Sequence, residues 1–64
     1  MRLIVNGERM DTQAATVAAL VAELGHEGYV AVAVNEEVVS RRNWAETQLA
    51  DGDTLEVITP RQGG

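Results

Sequence analysis

Between Thr16 and Gly25 runs the one sustained helical period in the chain: Val17, Leu20, Val21 and Leu24 fall at i, i+3, i+4 and i+7 and form a single apolar stripe. Thr16 can cap the start of such a helix, and Gly25, which tolerates a left-handed backbone, can end it. A helix of two to three turns is marginal alone in water and must bury its stripe. The remaining segments read as strands and turns, so a sheet is the only surface available to it.

The first of those segments is residues 1–5, short, apolar and β-branched toward its end, running directly into Asn6-Gly7. Asn-Gly is a strong two-residue hairpin signal, because both positions tolerate the positive φ of a type I′ turn. Glu8 to about Thr12 is then expected to return antiparallel, with Met10 sharing a face with half of the first strand. Gln13-Ala14-Ala15 is too short to be a linker. Past the helix, His26 sits where an imidazolium would favour the helix dipole, and Gly28 ends the connection.

Val30 to Val34 alternates large and small residues and reads as a central strand, one face packing valines and the other admitting a close neighbour. Asn35-Glu36-Glu37 reads as its turn and Val38-Val39 as a short partner strand. Glu36 and Glu37 are neighbours on an extended chain and point to opposite faces, which favours a solvated turn over paired acid/base chemistry. Ser40 to Gln48 holds a short helical turn around Trp44, which is either a lid on the core or an exposed anchor for a partner. Arg41 and Arg42 have three uses open to them: solvation, stacking on an aromatic ring, or meeting a partner's carboxylates. Asp51-Gly52-Asp53 is a turn, too short and too poor in ligands for a calcium loop. Thr54 to Thr59 is the last strand, with Leu55 and Val57 facing one way and Glu56 and Ile58 the other. Pro60 removes a backbone donor, so residues 60–64 are expected to leave the sheet as a tail on a single domain of residues 1–59.

Sixty-four residues leave no room for a second domain or for an enzyme cleft. With only Tyr29 and Trp44 aromatic, Leu, Val, Ile and Ala must build the core. Ten acidic residues against five arginines give a net charge of −5, which repels a phosphate backbone and argues against nucleic-acid binding. A basic protein partner is the more natural counterpart. The chain has no lysine, hence no side-chain amine, and no cysteine, which excludes a disulfide, a thiolate nucleophile and a Cys-based zinc site. Sulfur could not be held on a side chain, since Met1 and Met10 are thioethers. There is no phosphate loop, catalytic triad or paired metal motif. No apolar run approaches the ~20 residues of a membrane span and no signal peptide is visible, so a cytoplasmic protein is expected.

The closing residues Pro60-Arg61-Gln62-Gly63-Gly64 carry the most distinctive chemistry. Two glycines without Cβ atoms make a slender strip able to enter a narrow cleft, and the group that strip delivers is the carboxylate of Gly64. The bland alternative is a frayed end or a remnant of cloning. An α-carboxylate is an anion at pH 7 and a poor electrophile. To react it must be activated, most simply as an adenylate, and without a nucleotide-binding motif here a separate enzyme must hold the ATP.

Taken together, the strand-turn-strand start with Asn6-Gly7, Ala31-Val32-Ala33-Val34-Asn35, Val39-Ser40-Arg41 followed by Trp44, Asp51-Gly52-Asp53 and Gly63-Gly64 resemble the thiamine-biosynthesis sulfur carriers over nearly the whole chain. These are small proteins similar in fold to ubiquitin and to the small subunit of molybdopterin synthase. The resemblance implies an α+β fold, a ubiquitin-like β-grasp with a mixed four- to five-stranded sheet packed on one main helix and a flexible C-terminal Gly-Gly tail. It also implies a carrier rather than an enzyme. A ubiquitin-activating-type adenylyltransferase would adenylate Gly64 with ATP, a cysteine desulfurase or other donor would supply sulfur, and the thiocarboxylate would serve thiazole synthase. In that scheme Gly64 reacts, Gly63 gives the slender approach, and Gln62, Arg61 and Ile58 meet the partner; the chain itself holds no cofactor or metal. Ser40 stands where these carriers often have proline, and Arg61-Gln62 is more polar than the residues often found before the glycines. A ubiquitin-like modifier, a carrier serving another sulfurated metabolite and a plain interaction domain share the same fold.

Overall fold

The structure, a computed structural model, describes residues 1–25 and 29–59. Strands β1 (Arg2–Val5) and β2 (Glu8–Asp11) form the first hairpin, with Leu3 opposite Met10 and Val5 opposite Glu8. Asn6 and Gly7 take φ of 53° and 84°, the left-handed backbone that a type I′ turn requires. The second strand stops at Asp11 rather than continuing to Thr12. Thr12 turns inward instead: it is 6% exposed, its hydroxyl donates to Glu23, and the same oxygen accepts from the Ala14 N–H at 3.0 Å. These bonds satisfy a hydroxyl that would otherwise be costly to bury.

Helix α1 (Val17–Leu24) has the expected caps. Thr16 Oγ1 accepts from the Ala19 N–H at 3.1 Å, and Gly25, at φ 75°, donates its N–H to the Ala22 carbonyl at 3.1 Å. Val17 and Leu20 are fully buried, with Val21 and Leu24 half-buried beside them. His26 and Gly28 lie outside the described residues, as does the expected tail 60–64.

β3 (Ala31–Val34) and β4 (Glu37–Val39) form the second hairpin, and β5 (Thr54–Ile58) completes a five-stranded mixed sheet in the order β2-β1-β5-β3-β4. The valine-alanine strand is a central strand, as expected, flanked by β5 and β4, while β5 lies in the middle, parallel to β1 and antiparallel to β3. One expectation changes here. Glu37 belongs to β4, opposite Val34, so the turn is the two residues Asn35-Glu36 at φ 51° and 72°. Glu36 thus occupies a conformation that glycine would adopt at lower cost.

Leu3, Leu20, Leu55, Val17 and Val32 are the largest fully buried side chains, one sheet face closed against α1. Full burial of each such side chain is worth about 1.5–3 kcal/mol. A 3₁₀ helix (Arg41–Glu46) packs against α1 and brings Trp44 over the edge of this core, 8% exposed, its Nε1–H donating to the Val39 carbonyl at 3.0 Å. Trp44 is therefore a lid. Arg41 takes the stacking option, with Cζ 5.8 Å from the Trp44 ring centroid.

Candidate functional site

Side-chain alternation along the strands divides the sheet into two faces. Leu55 and Val57 point to the core, so Thr54, Glu56 and Ile58 point away from it, as the sequence indicates. Register carries the division outward: Ala31 lies opposite Ile58, Ala33 opposite Glu56, and Val38 opposite Ala33. The outer face over β5, β3 and β4 is thus Ile58, Ala31, Ala33 and Val38, with Glu56 among them. Ile58 is 58% exposed and Val38 77%. Tyr29, just before β3, is 67% exposed and joins Ala31, Val38 and the Arg41–Trp44 pair around one open depression of about 320 Å³.

Over β1 and β2 the same face is different in kind. Arg2 and Asp11 pair there at 3.3 Å, and Arg9 stands opposite Ile4. The outer face is therefore half apolar and half charged. Its apolar half borders the end of β5, from which the chain continues toward residues 60–64. Exposed apolar residues gathered on one sheet face mark an interaction surface more than scattered ones do. The small side chains of Ala31 and Ala33 leave the backbone of β3 open to close approach.

Of the residues named from sequence, Ile58 lies on this surface, whereas Arg61, Gln62, Gly63 and Gly64 fall outside the described residues. Sequence reasoning missed Tyr29, Ala31, Ala33 and Val38. The signal available was parity: once the valines at 30, 32 and 34 are assigned inward, the alanines between them must face outward. Among the described residues no group of three or more His, Asp or Glu side chains could hold a metal ion, and no helix is long and apolar enough to cross a membrane.

The ThiS family model matches residues 2–64. The chain belongs to the ThiS family. ThiS chains are sulfur carriers of thiamine biosynthesis, not catalysts, and have the ubiquitin-like β-grasp fold described above. The crystal structure of the thiamine biosynthesis protein ThiS from Geobacter metallireducens superposes with a TM-score of 0.82 at 33% identity, covering 100% of both chains. The solution structure of a thiamine biosynthesis protein from the same organism gives 0.83 at 33% identity, over 100% of this chain and 88% of that one. A thiazole synthase from Paramagnetospirillum magneticum is 41% identical over 66 aligned residues, covering 100% of this chain. This ThiS-family chain spans only 20% of that protein's length.

Proposed function

We propose that this chain carries sulfur as a thiocarboxylate on Gly64 and delivers it to thiazole synthase for the thiazole ring of thiamine. The Gly64 carboxylate oxygen attacks the α-phosphorus of ATP held by a ubiquitin-activating-type adenylyltransferase. A C–O–P bond forms and pyrophosphate leaves. Sulfur from a cysteine desulfurase or another persulfide donor then attacks the acyl carbon, and AMP leaves with the C–O bond electrons. A thiol cleaves the resulting S–S bond, forming a disulfide and freeing the thiocarboxylate. Gly63 supplies the slender approach and Arg61 and Gln62 the adjoining contacts, while the cycle runs in the cytoplasm with no cofactor bound to this chain.

The observation that carries this reading is the match to a protein named thiazole synthase, in which a stretch similar to all of this chain makes up a fifth of the whole. Carrier and acceptor would there share one polypeptide, a high effective concentration without added contacts. The apolar half of the outer face, with Ile58 nearest the tail, is the natural docking surface for these partners.

The test is intact-mass measurement of the protein co-expressed with its genomic neighbours, with and without the adenylating enzyme. The carrier gives a species heavier by the difference between sulfur and oxygen, which thiol alkylation traps at Gly64. A ubiquitin-like modifier gives covalent adducts on other proteins. A mass that never shifts, with no alkylated terminus, would overturn the proposal.

A further inference from the structure

β1 ends at Val5, whereas its parallel neighbour β5 runs on to Ile58. The backbone ladder between them ends with the Asn6 N–H donating to the Leu55 carbonyl at 2.9 Å. Beyond that point the first hairpin turns away, which would leave the β1-facing backbone groups of Val57 unpaired, although β3 still flanks β5 on its other side as far as Ile58. The Asn6 side chain takes the place of the missing strand. Its Oδ1 accepts from the Val57 N–H at 2.9 Å, and its Nδ2 donates to the Val57 carbonyl at 3.2 Å. Val57 is 5% exposed and anchored in the core, while the next residue is the outward-facing Ile58.

We propose that Asn6, besides making its turn, is a positioning residue for the reacting terminus. By holding both backbone groups of Val57 it secures the β1-facing side of the end of β5, whose other side pairs with β3 through Ile58, at the point from which the chain runs on to Gly64. The role rests on the sulfur-carrier reading above. Gly64 is the sixth residue after Ile58, and without the Asn6 bonds only the pairing with β3 would hold this end of β5. Loosening there would also shift Ile58 on the docking surface.

Asn6→Gly separates the two duties of the residue, because Gly-Gly still suits a type I′ turn but offers no side chain to Val57. Asn6→Asp keeps the turn and an acceptor for the Val57 N–H but loses the donor to its carbonyl. In native-state hydrogen exchange, Asn6→Gly is expected to accelerate the Val57 amide by about tenfold, the worth of one or two ordinary hydrogen bonds, with Asn6→Asp in between and the Leu20 amide following global stability alone. In ATP–pyrophosphate exchange with the adenylyltransferase, kcat/KM should fall in the same order, most for Asn6→Gly. Val17→Ala, destabilised through the core while the Asn6–Val57 bonds stay intact, should retain wild-type kcat/KM at temperatures where every variant is folded. An unaltered Val57 amide in Asn6→Gly overturns the proposal, as does an unaltered kcat/KM or an equal loss in Val17→Ala. If the wild type itself accepts no adenylate, the carrier reading fails and the positioning role with it, while the exchange data still decide whether Asn6 holds Val57.

Discussion

Asn35 and Thr54 exchange two hydrogen bonds: the Asn35 N–H donates to the Thr54 carbonyl at 2.7 Å, and the Thr54 N–H donates to Asn35 Oδ1 at 3.0 Å. Asn35 Nδ2 adds a bond to Asp53 Oδ1 at 3.1 Å. The turn of the second hairpin is thus tied to the start of β5, as Asn6 ties the first hairpin near its end. Asn35→Ala removes the side-chain bonds and places alanine at φ 51°; we expect a loss of about 1–3 kcal/mol in chemical denaturation. Asn35→Gly, which relieves the backbone but not the missing bonds, should lose less.

Glu36 gives the opposite sign. Exposed and held at φ 72°, it occupies the second position of a turn that favours glycine. Glu36→Gly should raise stability by about 0.5–1 kcal/mol after the entropy cost of glycine in the unfolded chain. In a domain of this size that corresponds to a rise in Tm of roughly 2–8 °C. A Tm that stays level or falls would show the turn to be unstrained.

Trp44→Phe keeps most of the lid's buried surface but strips the Val39 carbonyl of its Nε1–H donor. The expected loss is about 1–2 kcal/mol by calorimetry. Arg41→Ala, which removes only the exposed stacking over the ring, should lose about 1 kcal/mol or less.

On the outer face, Ile58→Asp should leave the fold within about 0.5 kcal/mol of wild type, since its side chain faces solvent. Binding to the adenylyltransferase or to thiazole synthase should weaken by about tenfold or more, measured by titration calorimetry. Arg9→Ala, on the charged half of the same face, should bind as wild type does. Equal binding by Ile58→Asp would move the interface off this face.

Local chemistry made much of the fold legible. Thr16, Gly25 and the stripe between them define α1, and Asn6-Gly7 defines the first turn, because caps and positive-φ residues act within a few positions of themselves. Strand order is not local. That β5 lies between β1 and β3 follows from which faces bury together, and alternating valines look alike in the centre and one strand away from it. The Asn35-Glu36 turn was obscured because the second position has no glycine; the flanking strands and the bonds to Thr54 and Asp53 hold Glu36 where its own preference would not. At the candidate site, Ile58 is visible in the sequence. Tyr29 and Val38 join Ile58 only once register sets the faces, since apolar character alone does not say which side of a sheet a residue occupies.

The middle strand of this sheet is also the last of the five to emerge from the ribosome. Before it arrives, the two hairpins share no backbone pairing, and the fully buried Leu55 has yet to reach the core. Nascent or truncated chains therefore lack a finished platform on which to be recognised. A partner that engages the assembled outer surface would thereby meet only molecules whose folding is already complete, without a separate checkpoint.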